Sequence, residues 1–231
     1  MKVDTLIFDF DDTLVDTYHL FLDYYDRFVD AMLALGFSPR KEILDYVHAA
    51  DIASVQRIGH PATESFPLAL RDTYRHFCES AGQPFQPEIS AKLEALGWAV
   101  HEEPAALVED AEPVLRELTG KVRLLLLSQG DEENQLRRIY RSGLQQYFEA
   151  CIVVPLKTTE VYQQVAATYQ LTPKRTCMIG NSMRSDINPA LQAGFQGIHI
   201  QLNAWAYDDE DAYGAHDTVS RLAEVLRIIQ L

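Results

Sequence analysis

Apolar residues along this chain follow two different periods. Short apolar runs recur at Thr5–Phe10, Val122–Leu127, Cys151–Val154, Thr176–Ile179 and Gly197–Ile200. Between them lie stretches with helical spacing, at Ala111–Leu118, Glu132–Ser142, Val161–Tyr169 and Ile187–Ala193, with Gly120, Gly143 and Gly194 where left-handed helix ends are wanted. Alternation of strand and helix predicts an α/β fold, a Rossmann-like parallel sheet covered by helices. Residues 16–107 break the alternation. Their apolar positions are helical throughout: Leu20, Tyr24, Phe28 and Met32, then Leu68, Tyr74 and Phe77, then Ile89, Leu93 and Leu96. Pro39, Gly59-His60-Pro61, Gly82-Gln83-Pro84 and Pro104 punctuate them. The expected organisation is therefore a core of residues 1–15 and 108–231, with an all-helical module over 16–107 inserted after the first strand. The plain reading of that module is a set of extra helices packed permanently on the core.

Composition narrows the class of partner. The 231 residues are 47% hydrophobic and 23% charged, as in an ordinary soluble domain, with a formal charge of −14. Such a chain lacks the basic footprint that nucleic acid or an anionic membrane needs. A phosphorylated ligand would depend on local cations to overcome the global field. Cys78, Cys151 and Cys177 show no metal-type spacing; Cys151 and Cys177 lie in apolar strand-like runs and read as small core residues, and a reduced, cytoplasmic setting fits. Met1-Lys2-Val3-Asp4 has no signal-peptide character, and no apolar stretch reaches the roughly 18 residues of a membrane span. The short acidic run Asp208–Asp211 reads as a solvated loop.

Candidate chemistry begins where the first apolar run ends, in Asp9-Phe10-Asp11-Asp12-Thr13-Leu14. Side chains two apart on a strand share a face, so Asp9 and Asp11 can reach one site. Ligands of open parallel sheets collect outside the carboxyl ends of the strands. Two carboxylates there suit one nucleophile or metal ligand and one proton shuttle. A strand end followed by a solvated acidic turn would carry the same residues.

This Asp-x-Asp-x-Thr-Leu stretch resembles the first signature of the haloacid dehalogenase-like hydrolase superfamily, and three later segments resemble its other signatures in order. Val122–Gly130 is an apolar run ending in Ser128; Lys157 sits in Val153–Glu160; Met178–Ile187 carries Gly180-Asn181 and Asp186. The resemblance implies an α/β core whose residues 16–107 form a helical cap. It implies Asp9 as nucleophile and Asp11 as the acid that protonates the leaving group and then activates water. Mg²⁺ would be held by Asp9, the backbone carbonyl of Asp11 and Asp186. Lys157 would stabilise charge on Asp9 and on the phosphoryl group, with Ser128 and the amides around Gln129 and Gly130 binding phosphate oxygens. Ser128 also suits the N-cap of the following helix. Haloacid dehalogenases usually lack an acid two residues after the nucleophile, so Asp11 favours phosphoryl chemistry.

One position departs from the resembled pattern. Asn181 stands where an acid is usual and offers the metal only a neutral oxygen, which weakens a site for a hard cation. In the helical module Tyr18, His19, Arg27, Arg57, His60 and Arg71 are candidates to touch substrate, whereas Lys41 and Lys92 have no supporting context. The expected function is a Mg²⁺-dependent phosphatase acting on a small phosphorylated metabolite, with no nucleic acid or membrane partner. A sugar phosphomutase and a non-catalytic regulatory relative are the alternatives.

Overall fold

Thr5–Phe8 forms the first strand, β1, and all four of its residues are buried. It leads through a tight turn into β2 (Val15–Asp16). The computed structural model describes residues 1–59, 62–201 and 210–230. After β2 the chain is largely helical: α1 (Thr17–Ala34), α2 (Arg40–Ile58), α3 (Ser65–Ser80) and α4 (Pro87–Ala99). Two compact units result, one of Met1–Tyr18 with Ala105–Leu231 and one of His19–Pro104.

The helical unit has its own core. Tyr24, Phe28 and Met32 share one face of α1, as their four-residue spacing predicts, and join Ile43 and Val47 of α2, Phe66, Leu70 and Tyr74 of α3, and Leu93 of α4. On α3 the buried face runs through Phe66, Leu70 and Tyr74, so Leu68 is only half-buried. Gly97 lets α4 come backbone to backbone with α3: a Cβ there would lie 2.6 Å from the Pro67 Cα. Buried Asp51 accepts a 2.5 Å hydrogen bond from the Tyr25 hydroxyl.

The chain then re-enters the first unit through β3 (Ala106–Leu107), which pairs antiparallel with β2. This pairing ties both ends of the insertion to the unit that contains β1. There follow α5 (Ala111–Leu118), β4 (Arg123–Gln129), α6 (Glu132–Ser142), β5 (Ala150–Val154), α7 (Thr159–Thr168), β6 (Thr176–Gly180), α8 (Asn188–Gln192), β7 (Gln196–Ile200), β8 (Asp217–Val219) and α9 (Val225–Ile228). The sheet order is β5-β4-β1-β6-β7-β8, with every neighbour parallel. Phe8 lies level with Leu126 of β4 and Ile179 of β6. Alternate residues feed opposite layers. Leu6, Phe8, Leu124, Leu126, Cys177 and Ile179 pack with α5 on one side; Ile7, Leu125, Leu127 and Met178 pack with Tyr162 and Val165 of α7 on the other. The sixth strand, β8, escapes a hydrophobic reading because Asp217 and Thr218 are exposed and only Val219 is buried, as befits a sheet edge.

All three cysteines are free; Cys78 and Cys177 are buried and Cys151 is half-buried. Among the described residues no helix is long and apolar enough to cross a membrane.

Candidate active site

Asp9 follows β1 directly, and its amide donates to Ile179 O at 2.9 Å, so β6 fixes where its side chain starts. The turn beyond is built by Asp12, which adopts a left-handed backbone (φ 57°) that Asp tolerates better than most residues. The Asp12 carboxylate accepts from the Tyr18 amide at 2.7 Å, satisfying one of the unpaired donors at the start of α1. Asp12 thus shapes the turn between β1 and α1.

Lys157, just before the N-cap residue Thr158 of α7, reaches back to β1. Its Nζ lies 2.5 Å from Asp9 Oδ1 and 2.6 Å from Asp186 Oδ1, with all three side chains at least nine-tenths buried. Gln129 holds the lysine from behind, its Oε1 accepting from the Lys157 amide at 3.0 Å. Asp186 sits in a single π-helical turn, Met183–Ile187, of the kind that recurs at functional sites. Ser182 shapes that turn: its side chain accepts from the Ser185 amide, and its own amide donates to Asp186 Oδ2 at 3.1 Å. Tyr162 of α7, fully buried, donates to Ser185 O at 3.2 Å and so ties the helix after Lys157 to the turn bearing Asp186.

Gly180 makes room for this arrangement. A Cβ there would lie 2.2 Å from Asp186 Oδ2. Gly180→Ala is therefore expected to cost about 1–3 kcal/mol in a urea titration, through overpacking. The cost should shrink in an Asp186→Ala background; strictly additive losses would mean that the new methyl meets something other than Asp186.

The second carboxylate is held by a separate set of donors. Asp11 Oδ1 accepts from Thr17 Oγ1 at 2.7 Å and pairs with Arg138 Nη2 at 2.6 Å; Asp11 Oδ2 accepts from Gln135 Nε2 at 2.6 Å. Gln135 and Arg138 are three residues apart on α6 and hence on one face. The helix starts where it does because Asp131 caps it, accepting from the Asn134 amide at 2.9 Å. The N-cap role considered for Ser128 is thereby excluded: Ser128 lies inside β4, fully buried, and accepts from Gln135 Nε2 at 2.7 Å.

The two carboxylates titrate in opposite directions. Burial pushes the Asp9 carboxyl well above the usual carboxylate range; Lys157 pulls it down, and Asp186 pushes it up again. Burial also disfavours the charge on Lys157, but Asp186 and Asp9 outweigh it and keep the ammonium protonated. For Asp11, burial is overcome by the Arg138 guanidinium and by hydrogen bonds from Arg138, Thr17 and Gln135, which hold it below the usual range. Among the described residues the cations paired with these carboxylates are Lys157, which meets Asp9 and Asp186, and Arg138, which meets Asp11, so full ionisation of all three acids would leave one negative charge in excess.

Other candidate residues fall in varied places. Gly130 donates its amide to Val154 O at 2.9 Å, so that N–H is spent on the edge of β5. Asn181 Oδ1 accepts from Thr13 Oγ1 at 3.4 Å, and the Asn181 carbonyl lies 2.8 Å from His199 Nε2. In the helical unit Arg27 pairs with Asp23 at 2.6 Å and lies over the Tyr24 ring, while Arg57 and Arg71 both meet Asp72. Lys41 pairs with Asp45, and Lys92 is exposed. His60 lies outside the described residues, as do Asp208 and Asp209 of the acidic run, whereas Glu210 pairs with Arg184 at 3.5 Å. Sequence reasoning missed Thr17, Gln135 and Arg138.

No three His, Cys, Asp or Glu side chains among the described residues form a ready-made metal cage. Magnesium does not need one: one or two carboxylates, water and substrate phosphate suffice. Asp9 and Asp186, drawn to one point by Lys157 and short of positive charge, are a donor set that fits it.

Comparison with known proteins gives the family. A haloacid dehalogenase-like hydrolase model matches residues 3–194. The N-acylneuraminate-9-phosphatase of Homo sapiens is 32% identical over 95 residues, 39% of this chain, and that of Rattus norvegicus matches equally. The match spans only 38% of the length of these relatives. Among solved structures, a haloacid dehalogenase-like hydrolase from Xanthomonas campestris superposes with a TM-score of 0.75 at 21% identity, covering 98% of this chain and 95% of the other. A HAD-hydrolase from Bacillus subtilis bound to magnesium gives 0.69 at 17% identity with full coverage of both chains. The L-2-haloacid dehalogenase of Xanthobacter autotrophicus gives 0.64 at 16% identity, with 98% of each chain covered. At these identities the structural likeness speaks to the fold, while the family model matches most of the chain, a range that includes Asp9, Ser128, Lys157 and Asp186. This chain belongs to the haloacid dehalogenase-like hydrolases.

Proposed function

We propose that the protein is a Mg²⁺-dependent phosphatase that hydrolyses a small phosphorylated metabolite through an aspartyl-phosphate on Asp9. The observation that carries this reading is the pairing of two differently treated carboxylates at one strand end. Asp9 is held by Lys157, alone of the cations among the described residues, while Asp11 is held by Arg138, Gln135 and Thr17. In the metal-free site burial favours the protonated form of Asp9 while Arg138 favours the ionised form of Asp11, so a nucleophilic Asp9 and a proton-donating Asp11 require bound Mg²⁺ to release the Asp9 proton and Asp11 to take one up before the first step. The phosphatase names of the curated relatives support phosphoryl transfer, as does the presence of Asp11 itself.

In the first step an Asp9 carboxylate oxygen attacks phosphorus and the bond to the leaving oxygen breaks, with Asp11 giving that oxygen its proton. In the second, Asp11 takes a proton from water, the water oxygen attacks phosphorus, and the bond to Asp9 breaks to release inorganic phosphate. Magnesium held by Asp9, the Asp11 carbonyl and Asp186 would supply charge neutralisation, letting one anion approach another. Lys157 adds positive charge beside Asp9. Ser128 accepts from Gln135 and keeps its own proton for a phosphate oxygen. The Gly130 amide is engaged with Val154, so phosphate binding rests on Ser128 and Lys157, with Gln129 positioning the lysine. The helical unit is read as the cap that selects the substrate, and the reduced cysteines fit a cytoplasmic setting.

Hydrolysis of para-nitrophenyl phosphate with and without Mg²⁺ tests the reading. Metal-dependent phosphate release supports it; fluoride or chloride release from haloacids without phosphatase activity would replace it by carbon–halogen chemistry. Asn181→Asp should tighten Mg²⁺ binding about tenfold, read by calorimetry, because a charged oxygen replaces a neutral one. Unchanged affinity would place residue 181 outside the metal's reach.

A further inference from the structure

Gln135 is 97% shielded from solvent, yet it is a neutral polar side chain in contact with both a carboxylate and the strand β4. Its Nε2 lies 2.6 Å from Asp11 Oδ2, 2.7 Å from Ser128 Oγ and 3.2 Å from Gln129 O. Two N–H groups serve the two short contacts, one each, and the third is shared. The other end of the amide is equally fixed, because Oε1 accepts from Arg138 Nη1 at 2.6 Å. Turning the amide over would set Oε1 against the Asp11 carboxylate and the NH₂ against the guanidinium, so only one orientation is stable. Space for the stem comes from Gly130, whose backbone (φ 144°) and missing Cβ leave Gln135 Cγ at 3.1 Å from where a Cβ would stand.

We propose that Gln135 is a positioning residue for the reaction, locking the Asp11 carboxylate to the Ser128 hydroxyl so that proton shuttle and phosphate anchor are presented as one unit. The inference rests on the phosphatase reading above. Only a neutral donor of this length suits the position. Glu would oppose Asp11 with like charge, Asn would fall one methylene short, and Met would fill the space without donating. Holding Ser128 as acceptor also turns its proton away from Gln135, toward the position of a bound phosphate oxygen.

A positioning role for the acid has a signature that loss of packing lacks. The value of kcat/KM reports steps up to formation of the Asp9 intermediate. An alkoxide leaving group needs the Asp11 proton there, whereas para-nitrophenolate leaves without it. Gln135→Met should lower kcat/KM about 100-fold for a simple alkyl phosphate, as displacement of a catalytic group by an ångström can do, and about tenfold or less for para-nitrophenyl phosphate. Gln135→Glu, which keeps length and polarity, should show the same imbalance and carries the test if the Met variant melts early. Equal losses on both esters, or wild-type rates in either folded variant, would overturn the positioning role while leaving the phosphatase reading intact. A wild-type protein that hydrolyses neither ester would overturn both.

Discussion

Asp9→Asn is expected to lower phosphate release by about 10⁴-fold or more, because an amide oxygen is a poor nucleophile and no neighbouring acid can replace it. Asp11, the nearest alternative, is fully engaged by Arg138, Thr17 and Gln135 and held below the usual carboxylate range. The same substitution should not weaken the fold. Burial raises the Asp9 carboxyl above the usual range, Lys157 only partly offsets this, and Asp186 adds to it. A group raised in this way contributes stability that is present below its unfolded pKa and lost as pH rises through the folded one. Asn has no charge to lose, and Lys157 keeps its 2.6 Å partner Asp186. Thermal melts of metal-free protein should therefore show the variant equal to the parent at about pH 5 and equal or better at about pH 8. A variant that is inactive but unfolded would not bear on the nucleophile; a folded and active one would remove Asp9 from that role.

Lys157→Met should be costly in both respects. Removing one member of a buried ion pair commonly costs about 3–5 kcal/mol, because the remaining charge has no water to turn to. Here two carboxylates are stranded together, Asp9 and Asp186, both at least nine-tenths buried. Asp9, already raised by burial, would lose the cation that pulls it down. The deficit relative to the parent should thus be largest at neutral to alkaline pH and shrink as acid protonates Asp9, read by urea titrations across that range. Activity should fall about 10³-fold, since the lysine also stabilises charge that develops on the transferring group. Lys157→Arg should rescue neither: a planar guanidinium does not fit a slot made for an ammonium that is 2% exposed and touches two oxygens. A pH-independent stability loss would show that Lys157 matters for packing rather than for its charge.

The parts of the site that could be read from sequence are those fixed by strand period and strand ends. Asp9 and Asp11 sit two apart at the end of β1, and Ser128, Lys157 and Asp186 each follow an apolar run, so their convergence needs only a parallel sheet. Gln135 and Arg138 were illegible for the opposite reason. On α6 they look like any polar pair on an amphipathic helix, and only packing decides that this face turns toward Asp11 rather than water. Their three-residue spacing just after the Ser128 strand was the one signal they carried. The N-cap question at Ser128 turned on competition between two oxygens: Asp131 lies one position before the helix and wins it. Arg27, Arg57 and Arg71 each meet a carboxylate of their own unit, Asp23 or Asp72, through partly exposed pairs that an acid-rich sequence makes common.

The most direct test is to trap the covalent intermediate. Enzyme mixed with a phosphate monoester and Mg²⁺ would be quenched in acid within one turnover, digested, and mapped by mass spectrometry. A phosphoryl group on the peptide containing Asp9, absent from the Asp9→Asn variant, is the expected result. Turnover with no phosphorylated peptide, or with the label on another residue, would contradict an aspartyl-phosphate on Asp9.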